Sequence, residues 1–280
     1  MLLPQSTERV PAALILGGSG ATDRNGNQPT AHTDNLKALA RGLYEQGIAT
    51  LRIDKRGVAA STPAILSEAE LKFDHYVADA AAWLDYLRGK LPIGPLFVIG
   101  HSEGALTATL AAQRASISGL VLMSAMGSPL GKVFRRQLIA NQMPENLRSI
   151  AFDIIATLER GLPVLDVPQQ LGGLFRPSVH PYLISMLALD PVAEFAKTTV
   201  PALLLQGTTD LQVTREDTEV LGAARSGADV LVIEGMNHVL KRATGDAEAQ
   251  RTAYIDPDLP LAPELVPAIA EFVKKQAGRA

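Results

Sequence analysis

No cysteine stands anywhere in the 280 residues. That absence excludes a disulfide framework, a thiolate nucleophile and any Cys-based metal site, and it agrees with a reducing, cytoplasmic setting. An excess of basic charge is also missing. The 26 Lys and Arg stand against 29 Asp and Glu, giving a net charge of −3 and no electrostatic footprint for nucleic acid or an anionic membrane. No apolar run approaches the ~18 residues needed to span a bilayer. The opening Met1-Leu-Leu-Pro-Gln-Ser-Thr-Glu-Arg9 lacks the basic start and apolar stretch of a secretory signal, so a soluble protein is expected. What is present is an ordinary globular balance, 47% hydrophobic and 20% charged, on a chain long enough for one large domain or for a core with an insertion.

Short, nearly continuous apolar runs recur at Ala12–Leu16, Ile48–Ile53, Leu96–Ile99, Leu120–Met123, Ala202–Leu205 and Val230–Ile233. Runs of this length without polar alternation read as strands buried on both faces, as in a parallel sheet. Helical stripes lie between them. Leu36, Leu39, Ala40 and Leu43 form one, stopped by Gly47; Phe73, Tyr76, Val77, Ala80, Leu84 and Leu87 form a longer one. Ala105–Ala115, Glu219–Ala224 and Pro263–Lys275 supply three more. The alternation predicts an α/β class fold, a doubly wound and mostly parallel sheet with right-handed crossovers. It breaks once. Leu147, Ile150, Ala151, Ile154, Ile155 and Leu158 give a helical face, followed by a Gly/Pro-punctuated stretch and further helical patterns at Tyr182–Leu189 and Ala193–Ala196. A crossover needs only about a dozen residues. Residues 128–197 therefore read as an inserted helical cap, with 1–127 and 198–280 forming the core.

Gly100-His101-Ser102-Glu103-Gly104 follows directly on the apolar run Pro95–Ile99. A serine between two glycines, where a buried strand ends, fits a strained strand-to-helix turn that lifts its hydroxyl clear of the backbone. Gly100 and Gly104 are the positions where strand and helix pass too closely for a Cβ. Serine needs a base, and the base an orienting acid. Of the five histidines, His32 and His75 precede the serine near helical patterns, His101 points away at a sharp turn, and His180 lies in the expected cap. His238 remains, on the loop after the last strand, and Asp210 directly follows Ala202–Leu205. Ser102, Asp210 and His238 thus each fall at the carboxyl end of a strand, where open α/β sheets place their sites.

An acyl-transfer serine also needs two oxyanion donors. The Glu103 N–H is one. The second belongs to the loop Leu16-Gly17-Gly18-Ser19-Gly20, at the Ser19 N–H or, one residue earlier, at Gly18. A phosphate-binding reading of that loop fails because neither Lys-Ser/Thr nor an immediate helix follows it. Asp23 and Arg24 beside it are candidates either for substrate contact or for shaping the loop.

These residues resemble the α/β-hydrolase family across nearly the whole chain, and are most similar to its serine-aminopeptidase-like and dienelactone-hydrolase-like esterases. The matching stretches are Gly18-Ser-Gly-Ala-Thr-Asp-Arg-Asn-Gly-Asn27, Asp54-Lys-Arg-Gly57, Ser178-Val-His-Pro-Tyr182, Asp190-Pro191, Gln206-Gly-Thr-Thr-Asp210 and Asn237-His-Val-Leu-Lys241. The resemblance implies hydrolysis of a carboxylic ester by acyl transfer from a Ser-His-Asp triad to water, with no cofactor and no metal. A peptidase or amidase, a thioesterase or acyltransferase, and a non-catalytic ligand-binding module are the alternatives. The expected partner is a small ester-type substrate; a homo-oligomer is left open. The chain departs from the family at Ala59, where a glycine is usual, and the antiparallel strands that commonly precede the first parallel one are expected to be missing or truncated.

Overall fold

A computed structural model describes residues 1–65, 67–90 and 92–279; Ala280, the last residue of the expected core, lies outside them. Among the described residues there are six strands: β1 (Val10–Leu16), β2 (Ala49–Arg52), β3 (Ile93–His101), β4 (Gly119–Met123), β5 (Ala202–Gly207) and β6 (Asp229–Ile233). They form one sheet in the order β2-β1-β3-β4-β5-β6, every neighbouring pair parallel. The winding direction reverses between β1 and β3, which sets a switch point there, the usual ligand position in such sheets.

Helices α1 (Asn35–Glu45), α2 (Phe73–Arg88) and α3 (Glu103–Ala112) precede β4. After β4 come α4 (Leu130–Ala140), α5 (Glu145–Glu159), α6 (Gly172–Phe175), α7 (His180–Leu187) and α8 (Pro191–Ala196). Then α9 (Arg215–Ala224) joins β5 to β6, and α10 (Ala247–Ile255) and α11 (Leu265–Ala277) close the chain.

Alternation along the strands divides the core. Ala12, Leu14 and Leu16 of β1 face one layer with α2, α3 and α9, while Ala13 and Ile15 face the other with α1 and α11. Side chains such as Leu14, Ile15, Phe97 and Leu43 are fully buried, each contributing roughly 1.5–3 kcal/mol. A third apolar cluster joins Phe73, Tyr76 and Leu106 to Leu130, Val133, Ile154, Ile155, Phe175, Leu183 and Met186. Helices α4–α7 thus share a core of their own that is seated on α2 and α3, whereas α8 buries Phe195 in the first layer of the sheet core.

Two expectations differ from the structure. Val230–Ile233 reads as a strand buried on both faces, yet β6 is the sheet's edge, with Val230 and Leu231 exposed. Helices α4 and α10 are also not among the helices expected above. At Ala59 the backbone has φ 45°, the left-handed region in which glycine is usual.

Candidate active site

The sheet is parallel throughout, so β1, β3, β5 and β6 all release their loops at the same edge, with β4 between β3 and β5, and those loops converge there. Ser102 joins β3 to α3 with φ 56° and ψ −121°, a conformation rare for a non-glycine residue. Close approach enforces the turn. A Cβ on Gly100 would stand 2.3 Å from the Gly104 carbonyl oxygen, and one on Gly104 would stand 2.5 Å from that of Leu16. The Ser102 N–H donates to Met123 O at 2.9 Å, which ties the turn to β4. Glu103 opens α3, so its amide has no partner within the helix.

Asp210 and His238 are in contact. The buried imidazole Nδ1 lies 2.9 and 3.1 Å from the two Asp210 carboxylate oxygens. A carboxylate only accepts, so Nδ1 carries the proton and Nε2 keeps its lone pair. Asp210 Oδ1 also accepts from the amides of Gln212 (2.8 Å) and Val213 (3.0 Å). Burial opposes the carboxylate's charge, but His238 and these amides outweigh it and hold the pKa down to about 2. The two loops are laced by Thr209 N–H to Met236 O at 3.1 Å and by the Gly235 N–H to Thr208 Oγ1 at 2.9 Å. Among the described residues, the Ser102 hydroxyl makes no hydrogen bond, to His238 or to any other group. It shares with His238 the wall of one cavity of about 180 Å³.

His101, expected to be a packing residue, does more. Its Nε2 donates to the His238 carbonyl oxygen at 2.7 Å, and the two rings stand 5.0 Å apart. Burial and the neighbouring imidazole push its pKa down to about 3, so it is neutral and holds the backbone beneath His238.

Gly18 lies against the elbow, where an added Cβ would stand 3.2 Å from Ser102 Cβ. Ser19 lines the same cavity as Ser102, and its amide, like that of Glu103, donates to no group among the described residues. Lys55, within Asp54-Lys-Arg-Gly57, has a role that the sequence does not reveal. Its Nζ donates to Gly18 O at 2.5 Å and lies 3.4 Å from Glu103 Oε1, with side chains only 11% and 4% exposed. Lys55 therefore ties the β1 loop to the elbow. Burial, then the Glu103 carboxylate, hold the Tyr182 phenol well above its ordinary pKa.

Asp23 and Arg24 serve the loop. Asp23 Oδ1 accepts from the amides of Asn25 (2.8 Å) and Asn27 (2.9 Å), while Arg24 grips Asp54 through its backbone (2.7 Å) and guanidinium (3.0 Å from Nε). Burial opposes the Asp54 charge, but Arg24 keeps its pKa below the usual range. His180 is buried within the α4–α8 region, donating to Phe175 O at 2.7 Å.

A second cavity of about 240 Å³ opens from Ser102 on the side of the α4–α8 helices. Met126, Leu130, Val133, Phe134, Leu183 and Met186 dominate its walls, with Glu103 and Ser19 at its floor. Among the described residues no cluster of three or more His, Asp or Glu could hold a metal ion, and no helix is long and apolar enough to cross a membrane.

A family model described as serine aminopeptidase, S33, matches residues 30–161, a span that holds Ser102 but neither Asp210 nor His238. Esterase EstD of Thermotoga maritima is 26% identical over 267 residues, covering 91% of this chain; the chain spans 61% of that protein's length. Among solved structures, Est1E of Butyrivibrio proteoclasticus with ferulic acid bound superposes with TM-score 0.63 at 19% identity, covering 99% of this chain and 93% of that one. An esterase domain from a Rhodothermus marinus protein gives TM-score 0.55 at 17% identity over 98% and 90%.

Proposed function

Proceeding from the α/β-hydrolase fold, which this chain has, and from its resemblance to the serine hydrolases of that fold, we propose that it is a carboxylesterase. Ser102 attacks the ester carbonyl while His238 Nε2 takes its proton. Asp210 fixes the tautomer and stabilises the imidazolium, and the Ser19 and Glu103 amides receive the oxyanion. His238 then returns the proton to the leaving alcohol, activates water, and the acyl-enzyme is hydrolysed. Helices α4–α8, residues 128–197, act as a cap over the acyl group.

One observation carries the reading. The buried Asp210–His238 pair, with Nε2 left basic, opens on the same cavity as the serine of a sterically enforced turn. The Ser102 hydroxyl is a free rotor, and catalytic hydrogen bonds are often long or absent until substrate closes the site. Lys55 keeps the oxyanion loop against the elbow, a positioning role. Each oxyanion donor is worth roughly 3 kcal/mol in the transition state.

An aminopeptidase needs an unpaired acid for the substrate's α-amino group. The cap acids Glu145, Asp153 and Glu159 lie on exposed faces, Glu159 paired with Arg135 at 2.7 Å, and Glu103 is matched by Lys55. The ester reading is therefore preferred.

Ser102→Ala should abolish both p-nitrophenyl acetate turnover and labelling by a fluorophosphonate, with the thermal melt unchanged. A variant that still turns over and still labels would remove Ser102 from the chemistry.

A further inference from the structure

The two cavities that meet at Ser102 differ in kind, and that difference has a direction. Ser19, Ser102 and Gln212 belong to the walls of both, so a bound ester straddles the serine. Only the smaller cavity contains His238, and only the larger contains Glu103. Resting on the esterase mechanism proposed above, the leaving oxygen must face the imidazole that protonates it, which assigns the alcohol to the smaller cavity. The acyl chain then runs beneath α4 and α7.

The walls of the alcohol side carry Thr22, Gln28, Thr33, Asn35, Gln212 and Tyr254, with no Lys, Arg, Asp or Glu among them. Several of these polar atoms have capacity to spare. The Tyr254 phenol accepts from Gln212 Nε2 at 2.6 Å, and its own O–H has no acceptor among the described residues. Gln28 spends its side-chain N–H groups on Thr22 Oγ1 (2.7 Å) and on Ser19 O (3.2 Å), and its side-chain Oε1 accepts from no group among the described residues. Burial and the Asp210 charge push the Tyr254 pKa up to about 12, so the phenol remains a donor. Uncharged donors and acceptors with free capacity match hydroxyl groups, which both donate and accept. They offer nothing to a cationic or anionic alcohol, and an alkyl chain would leave them unpaired at a cost.

We propose that the substrates are esters joining an apolar acid to a neutral, polyhydroxylated alcohol. The acyl part lies among Leu130, Val133, Phe134 and Met186, and the alcohol's hydroxyls bond to Tyr254, Gln28 and Gln212.

Three butanoyl esters test this on the intact protein: glycerol monobutanoate, butyl butanoate and butanoylcholine. The glycerol ester should exceed each of the others by about tenfold or more in kcat/KM. Tyr254→Phe should narrow that ratio several-fold. Gln28→Leu, at an exposed position but giving up the Gln28 bonds to Thr22 and Ser19, should narrow it as well. Equal or better turnover of the butyl or choline ester, or ratios unmoved in both variants, would overturn the proposal. Fluorophosphonate labelling of Ser102 in the same preparations keeps the two levels apart. Labelling with no polyol preference defeats the substrate class alone, whereas absent labelling defeats the esterase reading beneath it.

Discussion

The turn at Ser102 and the helices α4–α8 confront each other across the larger cavity, and they are built by opposite means. At the turn, position is dictated by backbone against backbone. The strand, the helix and the end of β1 approach so closely that a single added carbon at Gly100 or Gly104 would overlap a carbonyl oxygen. Across the cavity, position is dictated by interchangeable apolar side chains such as Leu130, Val133, Leu183 and Met186. A contact made by backbone tolerates no substitution, whereas one made by flexible side chains tolerates many. In the proposed esterase the chemistry of acyl transfer sits on the first kind of structure, and the shape that selects a substrate sits on the second.

The largest effects should come from breaking the backbone side. Gly104→Ala places Cβ 2.5 Å from Leu16 O with no flexible group to yield, so strand β1 or the helix must shift. We expect a loss of more than about 4 kcal/mol, or no soluble protein, in denaturant unfolding. Met186→Leu across the cavity conserves volume and should cost less than about 1.5 kcal/mol while changing KM for long-chain esters. Comparable losses in the two variants would erase the distinction.

Acid should find the next weakness, again on the elbow side. His101 is held neutral with a pKa of about 3, while an unfolded histidine takes its proton near 6.5. Between those values the unfolded chain binds the extra proton, so stability is lost as the pH falls from about 6.5 toward 3. Asp210 adds to this at lower pH: its contribution is complete above its unfolded value of 3.8 and disappears as the pH falls through about 2. His101→Gln keeps a donor for the His238 carbonyl but removes the titration. Its melting temperature should therefore fall less steeply between pH 6.5 and 4 than that of the parent. Parallel slopes would show that other groups govern the acid limb.

Which parts of this were legible in the sequence follows the same division. The elbow glycines, Ser102, Asp210 and His238 stand at strand ends that the apolar runs mark, because a buried parallel strand has a local signature. Helix α4 was legible too, with Leu130, Val133, Phe134 and Leu138 at helical spacing, but the stripe alone does not say that it faces Ser102. Strand β6 misled for a related reason: an apolar run does not reveal that, among the described residues, the strand stands at the sheet's edge. Lys55 was visible as a residue, but its meaning depends on Gly18 and Glu103, 37 and 48 positions away. Tyr254 belongs to α10, which had no signal, so the cavity wall proposed for the alcohol was invisible until the fold brought it to His238.

Lys55 offers a sharper probe, because it connects the β1 loop, proposed to hold the oxyanion, to the elbow by side chain rather than by backbone. Lys55→Met removes the donor to the Gly18 carbonyl and leaves Glu103 buried without its counter-charge. We expect kcat to fall about 10- to 100-fold with KM little changed, as for a lost oxyanion donor of partial strength. Glu103→Gln in the Lys55→Met background should then cost little more, and the double-mutant cycle should show strong coupling. Additive losses, or a KM effect alone, would make the pair a structural ion pair with no bearing on the oxyanion.

The smallest effect is expected at Ala59, where the chain carries a side chain on backbone that favours glycine. Its φ of 45° costs an alanine about 1–2 kcal/mol. The conformation persists because the following amide, Ala60 N–H, is held by Asp54 Oδ2 at 3.2 Å, while Arg24 fixes the same carboxylate. Ala59→Gly relieves the strain but gives the unfolded chain more freedom, which returns about 0.5–1 kcal/mol of the gain. The net result should be a rise in melting temperature of roughly 1–3 °C with turnover unchanged. A fall instead would mean that Asp54 and Arg24 do not impose the turn, and that backbone rigidity in this molecule is confined to the elbow.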